Sequence, residues 1–171
     1  MGRTRQHHYR LTTRWTGNLG RGTADYRAYG RDHEYTGTGK YATLLGSSDP
    51  AFRGDPARYN PEELLVGALS SCHLLTVLHL CANAGIVVTE YTDDAEGEMA
   101  EGEGTGHVTR VTLRPRMVIT DAARIADAAR LHEEAHHGCF IAQSVNFPVD
   151  CVPEITAAPQ ADAAAITAPT P

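Results

Sequence analysis

Lysine is almost missing from this sequence: of fifteen basic residues only Lys40 is lysine. Positive charge is not in excess either, since 15 basic against 21 acidic residues leave a formal net charge of −6. Nucleic acid and anionic membrane surfaces select the opposite sign, so no nucleic-acid and no membrane partner is expected. The four cysteines, at 72, 81, 139 and 151, form no Cys-x-x-Cys motif, which argues against a zinc ribbon or a thioredoxin-type centre. No apolar run follows Arg3, Arg5, Arg10 and Arg14, so no secretory leader is expected. Nor is there an uninterrupted apolar stretch. Residues 64–82 are broken by Ser70, Ser71, His73, Thr76 and His79, and read as a buried core helix rather than a membrane span. The expected compartment is therefore cytoplasmic, where cysteines are more often catalytic or redox-active than structural.

What is present suffices for a folded core: 171 residues, 42% of them apolar and 21% charged. The expected organisation is a flexible arm at 1–10, a single domain over 11–156, and a disordered Ala/Pro-rich tail at 157–171. Three β-like runs, at 11–15, 23–35 and 41–45, alternate with glycine turns, and a Gly/Pro/Ser/Asp-rich loop fills 47–59. A long helix then begins at Asn60, which suits the N-cap. Pro61 suits the first helical position, and Glu62 and Glu63 suit the first turn. Gly85 suits the left-handed residue beyond its end. About 24 residues would span roughly 36 Å. Apolar almost all round, this helix is expected to be buried on more than one side, by a sheet and by a second subunit. Strands are expected at 86–91 and 108–119, joined by an acidic glycine-rich hairpin turn. A second helix is expected at 122–136 behind an Asp121 cap, and a last strand at 149–155, with Pro153 at its edge or end. The order βββ-α-ββ-α-β argues α+β.

Two constellations could carry chemistry. Cys72 lies mid-helix in Ser70-Ser71-Cys72-His73, and Cys139 follows a glycine at a helix end. A buried cysteine is an ordinary core residue. It becomes a nucleophile only with a partner that favours the thiolate and a second thiol. Cys81 and Cys151 read as core fillers. His132-Glu133-Glu134-Ala135-His136 is formally H-E-x-x-H, a zinc-peptidase pattern. Nine histidines make chance matches cheap, however, and no third ligand stands at the expected spacing downstream, so no metal is expected.

The chain resembles the OsmC/Ohr family, the osmotically inducible and organic hydroperoxide resistance proteins, in its OsmC-like branch. Asn60-Pro61-Glu62-Glu63-Leu64-Leu65 through Ser70-Ser71-Cys72 is similar to the family's N-P-E-x-L…C helix. Tyr29-Gly30-Arg31-Asp32 is similar to its G-R-D strand element. Ala135-His136-His137-Gly138-Cys139 to Ser144-Val145 is similar to its second-cysteine segment. The resemblance implies an α+β fold with an antiparallel sheet wrapped around a long buried central helix, in an intertwined homodimer with the site at the interface. It implies an organic, lipid-like hydroperoxide as substrate, Cys72 as peroxidatic and Cys139 as resolving cysteine. Arg31 and Glu62 would be the activating pair. No cofactor is implied, and a dithiol, such as a lipoylated protein, would be the reductant. The alternative on the same fold is a non-catalytic protein binding a small hydrophobic ligand. The sequence departs from the best-studied members at Gly138-Cys139-Phe140, where they carry Cys-Pro, and at His73, where they carry an aromatic residue.

Overall fold

The computed structural model describes residues 5–158. They fall into two compact units, one up to Leu64 and one from Leu65 onward. In the first, strands β1 (Thr12–Trp15), β2 (His33–Thr36) and β3 (Leu44–Gly46) form an antiparallel meander. Trp15 faces His33, and His33 faces Gly46. The expected run over 23–35 is a strand only at its end. Residues 21–29 are turns, and Arg31 lies in irregular backbone just ahead of β2. The reason is local. Gly30 N–H donates to Gly17 O at 2.8 Å, and Thr16 N–H donates to Asp32 O at 2.8 Å, so pairing continues past the strand ends. A side chain on Gly17 would place its Cβ 2.0 Å from Gly30 O, so only glycine admits this approach. In the loop over 47–59, buried Ser47 donates to Asp32 at 3.1 Å and accepts from the Asp55 N–H at 3.0 Å.

Helix α1 (Pro61–Asn83) starts and stops where the sequence places it. Asn60 Oδ1 accepts from the Glu63 N–H at 2.7 Å, and Glu63 Oε2 accepts from the Asn60 N–H at 2.9 Å, a reciprocal capping box. Gly85 sits at φ +67° just beyond the helix.

The second unit adds β4 (Val88–Asp93), β5 (Glu96–Gly102), β6 (Thr105–Leu113), β7 (Pro115–Ile119), α2 (Ile125–Gly138), β8 (Val149–Cys151) and β9 (Glu154–Ala157). They form two three-stranded sheets, β4-β7-β9 and β5-β6-β8. The expected hairpin turn over 93–106 is largely strand, because β5 pairs with β6 along its length and leaves only Glu103-Gly104 as the turn. The expected strand over 108–119 is two strands, β6 and β7, in different sheets, broken at Arg114-Pro115. The expected last strand divides likewise around Val152-Pro153. Proline lacks the N–H that a continuing ladder needs, so the chain changes sheets there. The sheets are mixed rather than purely antiparallel, since β8 runs parallel to β6 and β9 parallel to β7.

The fold is mixed α+β. One core cluster joins Val77 and Cys81 of α1, Met117 and Ile119 of β7, and Ala128, Leu131 and Ala135 of α2. A second joins Leu69 to Val111 and Leu113 of β6. In α1 the fully buried residues are Leu69, His73, Val77 and Cys81, a single stripe at every fourth position, while Leu75 is 68% exposed. The helix is thus buried along one face within the protomer. It is the one helix among the described residues long and apolar enough to cross a membrane. The expected tail begins inside β9, and residues 159–171 lie outside the described residues. Residues 5–10 are exposed and without regular structure, at the place of the expected arm.

Candidate active site

Cys72 lies in the middle of α1 and is partly exposed. Cys139 is the residue after α2 and is 2% exposed. Helices α1 and α2 approach closely here: a Cβ on Gly138 would lie 3.5 Å from Thr76 Cγ2, and Thr76 is one turn from Cys72. The two thiols are neighbours, and both are free. Burial pushes the Cys139 thiol above its ordinary range, and its hydrogen bond with Cys72 pushes it further. The Ala142 N–H donates to Cys139 Sγ at 3.5 Å from the 3-10 turn Ala142–Ser144, which folds the segment back behind the sulfur. A partly accessible sulfur backed by a buried protonated one can take an oxidant at the first atom and close a disulfide with the second.

Arg31 is built into the first unit by its own surroundings. Its guanidinium donates to Tyr29 O at 2.6 Å and to Tyr26 O at 2.9 Å. It also lies over both tyrosine rings, 4.2 Å and 4.3 Å from their centroids. Tyr29 packs edge-on against Trp15, whose Nε1 donates to Gly30 O at 2.9 Å. The tyrosine cluster is therefore a cradle for one arginine as well as sheet packing. Within the single chain Arg31 and Glu62 form no ion pair. Carbonyl oxygens and aromatic faces surround the guanidinium there. One carboxylate oxygen of Glu62 is buried with no hydrogen-bond partner among the described residues. Glu62's neighbour Glu63 serves the helix cap.

The H-E-x-x-H segment takes another form than the motif suggests. His132 turns into the core, 1% exposed, and its Nδ1 is hydrogen bonded to His73 Nε2 at 2.9 Å, with the rings stacked. Cys151 Sγ lies 3.4 Å from the same His73 nitrogen. Burial lowers the His73 pKa and takes that of His132 down to about 4. It pushes the Cys151 thiol up to about 12 and raises Tyr91 strongly. His132, His136, Ala129, Glu133, Cys151 and Pro153 border an open cleft of about 420 Å³. Sequence spacing offered no way to join His73 to His132. Of the two cysteines read as fillers, Cys81 packs in the core, whereas Cys151 borders this polar cluster.

A helix-borne thiol beside a second thiol at a helix end, on this α+β frame, defines a thiol protein of the OsmC type. The OsmC-like protein family matches residues 54–154, and the chain belongs to it. Among solved structures it is similar to an OsmC-like protein of unknown function, VCA0330, from Vibrio cholerae. That protein is 31% identical, with a TM-score of 0.77, covering 86% of this chain and 99% of that one. The fold is shared with an organic hydroperoxide resistance protein from Elizabethkingia anophelis, 18% identical, with a TM-score of 0.60, covering 90% of this chain and 98% of that one. The uncharacterized protein YmaD of Bacillus subtilis is 24% identical over 149 residues, 84% of this chain and 90% of its own length.

Proposed function

We propose that this protein is a cysteine-based peroxidase reducing organic, lipid-like hydroperoxides to alcohols. The observation that carries the reading is the adjacency of two free thiols, Cys72 partly exposed and Cys139 buried behind it. In the proposed cycle the Cys72 thiolate attacks the outer peroxide oxygen. A sulfur–oxygen bond forms, the oxygen–oxygen bond breaks, and the alkoxide leaves as alcohol after taking a proton. The Cys139 thiol then displaces hydroxide from the Cys72 sulfenic acid. A disulfide forms, water leaves, and over-oxidation to the sulfinic acid is prevented. An external dithiol, of the kind a lipoylated protein carries, returns two electrons and two protons. Arg31 and Glu62 are proposed to complete the site in a homodimer. The guanidinium cannot lose its proton and supplies a fixed positive charge, and Glu62 orients it. Two observations support this: among the described residues Arg31 is held by two carbonyl oxygens and two rings and no carboxylate, and Glu62 has a buried oxygen with no partner.

Mass spectrometry after one equivalent of cumene hydroperoxide tests the reading. The expected product is an intramolecular 72–139 disulfide. Cys139→Ser is expected to give one sulfenic event and then stall. Full peroxide turnover by Cys72→Ser would sink the proposal.

A further inference from the structure

Behind the cleft, and using neither proposed reacting thiol, His73, His132 and Cys151 bring three donor atoms within 4.8 Å of one another. We propose that these three side chains form a binding site for one borderline-soft divalent cation, with Zn²⁺ as the best fit.

The first ground is geometric. In a tetrahedral zinc site the Zn–N and Zn–S bonds put neighbouring nitrogens roughly 3.3 Å apart and a nitrogen and a sulfur roughly 3.6 Å apart. The structure holds His73 Nε2 2.9 Å from His132 Nδ1 and 3.4 Å from Cys151 Sγ. These two pairs need separate by only a few tenths of an ångström to admit the ion, and all three donors lie within 4.8 Å of one another. Their supports are independent and regular: His73 on α1, His132 on α2 and Cys151 on β8. The second ground is hydrogen-bond arithmetic. His73 Nε2 is approached by both His132 and Cys151, yet one ring nitrogen has either one proton to give or one lone pair to offer. One of the three groups is left short. A buried polar group left short is costly, and a cation satisfies all three inner lone pairs together. The third ground is charge. Asp93 acts electrostatically on both His73 and Cys151. Its carboxylate is anchored by Ser70 Oγ at 2.5 Å and by the Arg114 N–H at 2.7 Å. A fixed negative charge beside a thiolate and two neutral imidazoles favours a dication.

Two nitrogens and a sulfur select zinc-like metals over magnesium or calcium. Binding forms two metal–nitrogen bonds and one metal–sulfur bond; the Cys151 thiol proton goes to solvent, and the proton shared between His73 Nε2 and His132 Nδ1 moves to an outer ring nitrogen, with no change of oxidation state. His132 and Cys151 also border the cleft. The fourth position is thereby left to water or to a molecule entering there, the open arrangement of a catalytic rather than a closed structural site.

The test is titration of the reduced, tag-free full chain with Co²⁺ under a non-thiol reductant, followed by Zn²⁺ competition. One Co²⁺ per chain is expected, with a sulfur-to-cobalt charge-transfer band and the intense visible bands of four-coordinate cobalt, both removed by Zn²⁺. The charge-transfer band is expected to vanish in Cys151→Ser and to persist in the Cys72→Ser/Cys139→Ser double variant. Thermal unfolding checks that Cys151→Ser folds. X-ray absorption of the Zn²⁺-loaded wild type, which needs no variant, is expected to show one sulfur and two imidazole neighbours. No charge-transfer band in the wild type, a band surviving Cys151→Ser, or a shell of two sulfurs would each overturn the proposal and leave a hydrogen-bonded core triad.

Discussion

At the scale of single residues, the two thiols differ in the way their proposed roles require. Cys139 is buried and lies beside the Cys72 thiol, and both effects hold its proton on, against the weaker opposing pull of the Ala142 and Ile141 N–H groups. The sign follows directly: a raised thiol pKa leaves less thiolate at neutral pH than an ordinary cysteine has. Alkylation by iodoacetamide, read site by site by mass spectrometry, is therefore expected to label Cys72 first. Its rate at Cys139 should still be climbing beyond about pH 8.5, where a free thiol is half ionised. Equal labelling of both at neutral pH would contradict this. Arg31 is a second residue-scale case. Its planar group makes two carbonyl hydrogen bonds while lying over two rings, a geometry a lysine ammonium cannot reproduce. Arg31→Lys is expected to slow the peroxide reaction of Cys72 by about tenfold or more, corresponding to a loss of about 1.4 kcal/mol of transition-state stabilisation. Stopped-flow with cumene hydroperoxide measures it.

At the scale of elements, α1 is the piece whose ends were most legible beforehand. Asn60, Pro61, Glu63 and Gly85 are side-chain and backbone choices that act over three or four residues, so they can be read without knowing the fold. Asn60→Ala removes half of the capping box and is expected to cost about 1 kcal/mol, read from chemical denaturation. The strands were harder to divide. Apolar residues at 108–119 look like one long strand, and only the Pro115 break marks the passage from one sheet to the other. Strand β5 has no signal in the sequence because Glu96, Glu98 and Glu101 and the glycines read as a solvated turn, yet it is a fully exposed strand carried by its pairing with β6. Met117, wholly buried where α1, α2 and β7 meet, anchors the core. Met117→Ala is expected to destabilise by about 2–5 kcal/mol, through lost transfer energy and the cavity left behind.

At the scale of the whole molecule, α1 presents more apolar surface than the protomer buries. Leu75 is 68% exposed on a helix whose buried stripe is Leu69, His73, Val77 and Cys81. The proposed homodimer would cover it. Sedimentation is expected to give a dimer for the wild type and a monomer for Leu75→Asp. A monomeric wild type would remove the homodimer from the proposal and leave the thiol pair in place.

The sequence by itself determined the α+β class, the long capped helix, the second helix and the candidacy of Cys72 and Cys139, because these are written in local periodicity, capping chemistry and motif spacing. Only the tertiary structure decided which thiol stands beside which. It decided too that Arg31 is clasped by Tyr26 and Tyr29 within its own chain, and that His132 meets His73 and Cys151 instead of forming a peptidase pair with His136. The physical reason is range. Caps and periodicity act over a few residues, whereas His73 and His132 stand 59 residues apart and are joined only when two helices and a sheet close over a common core.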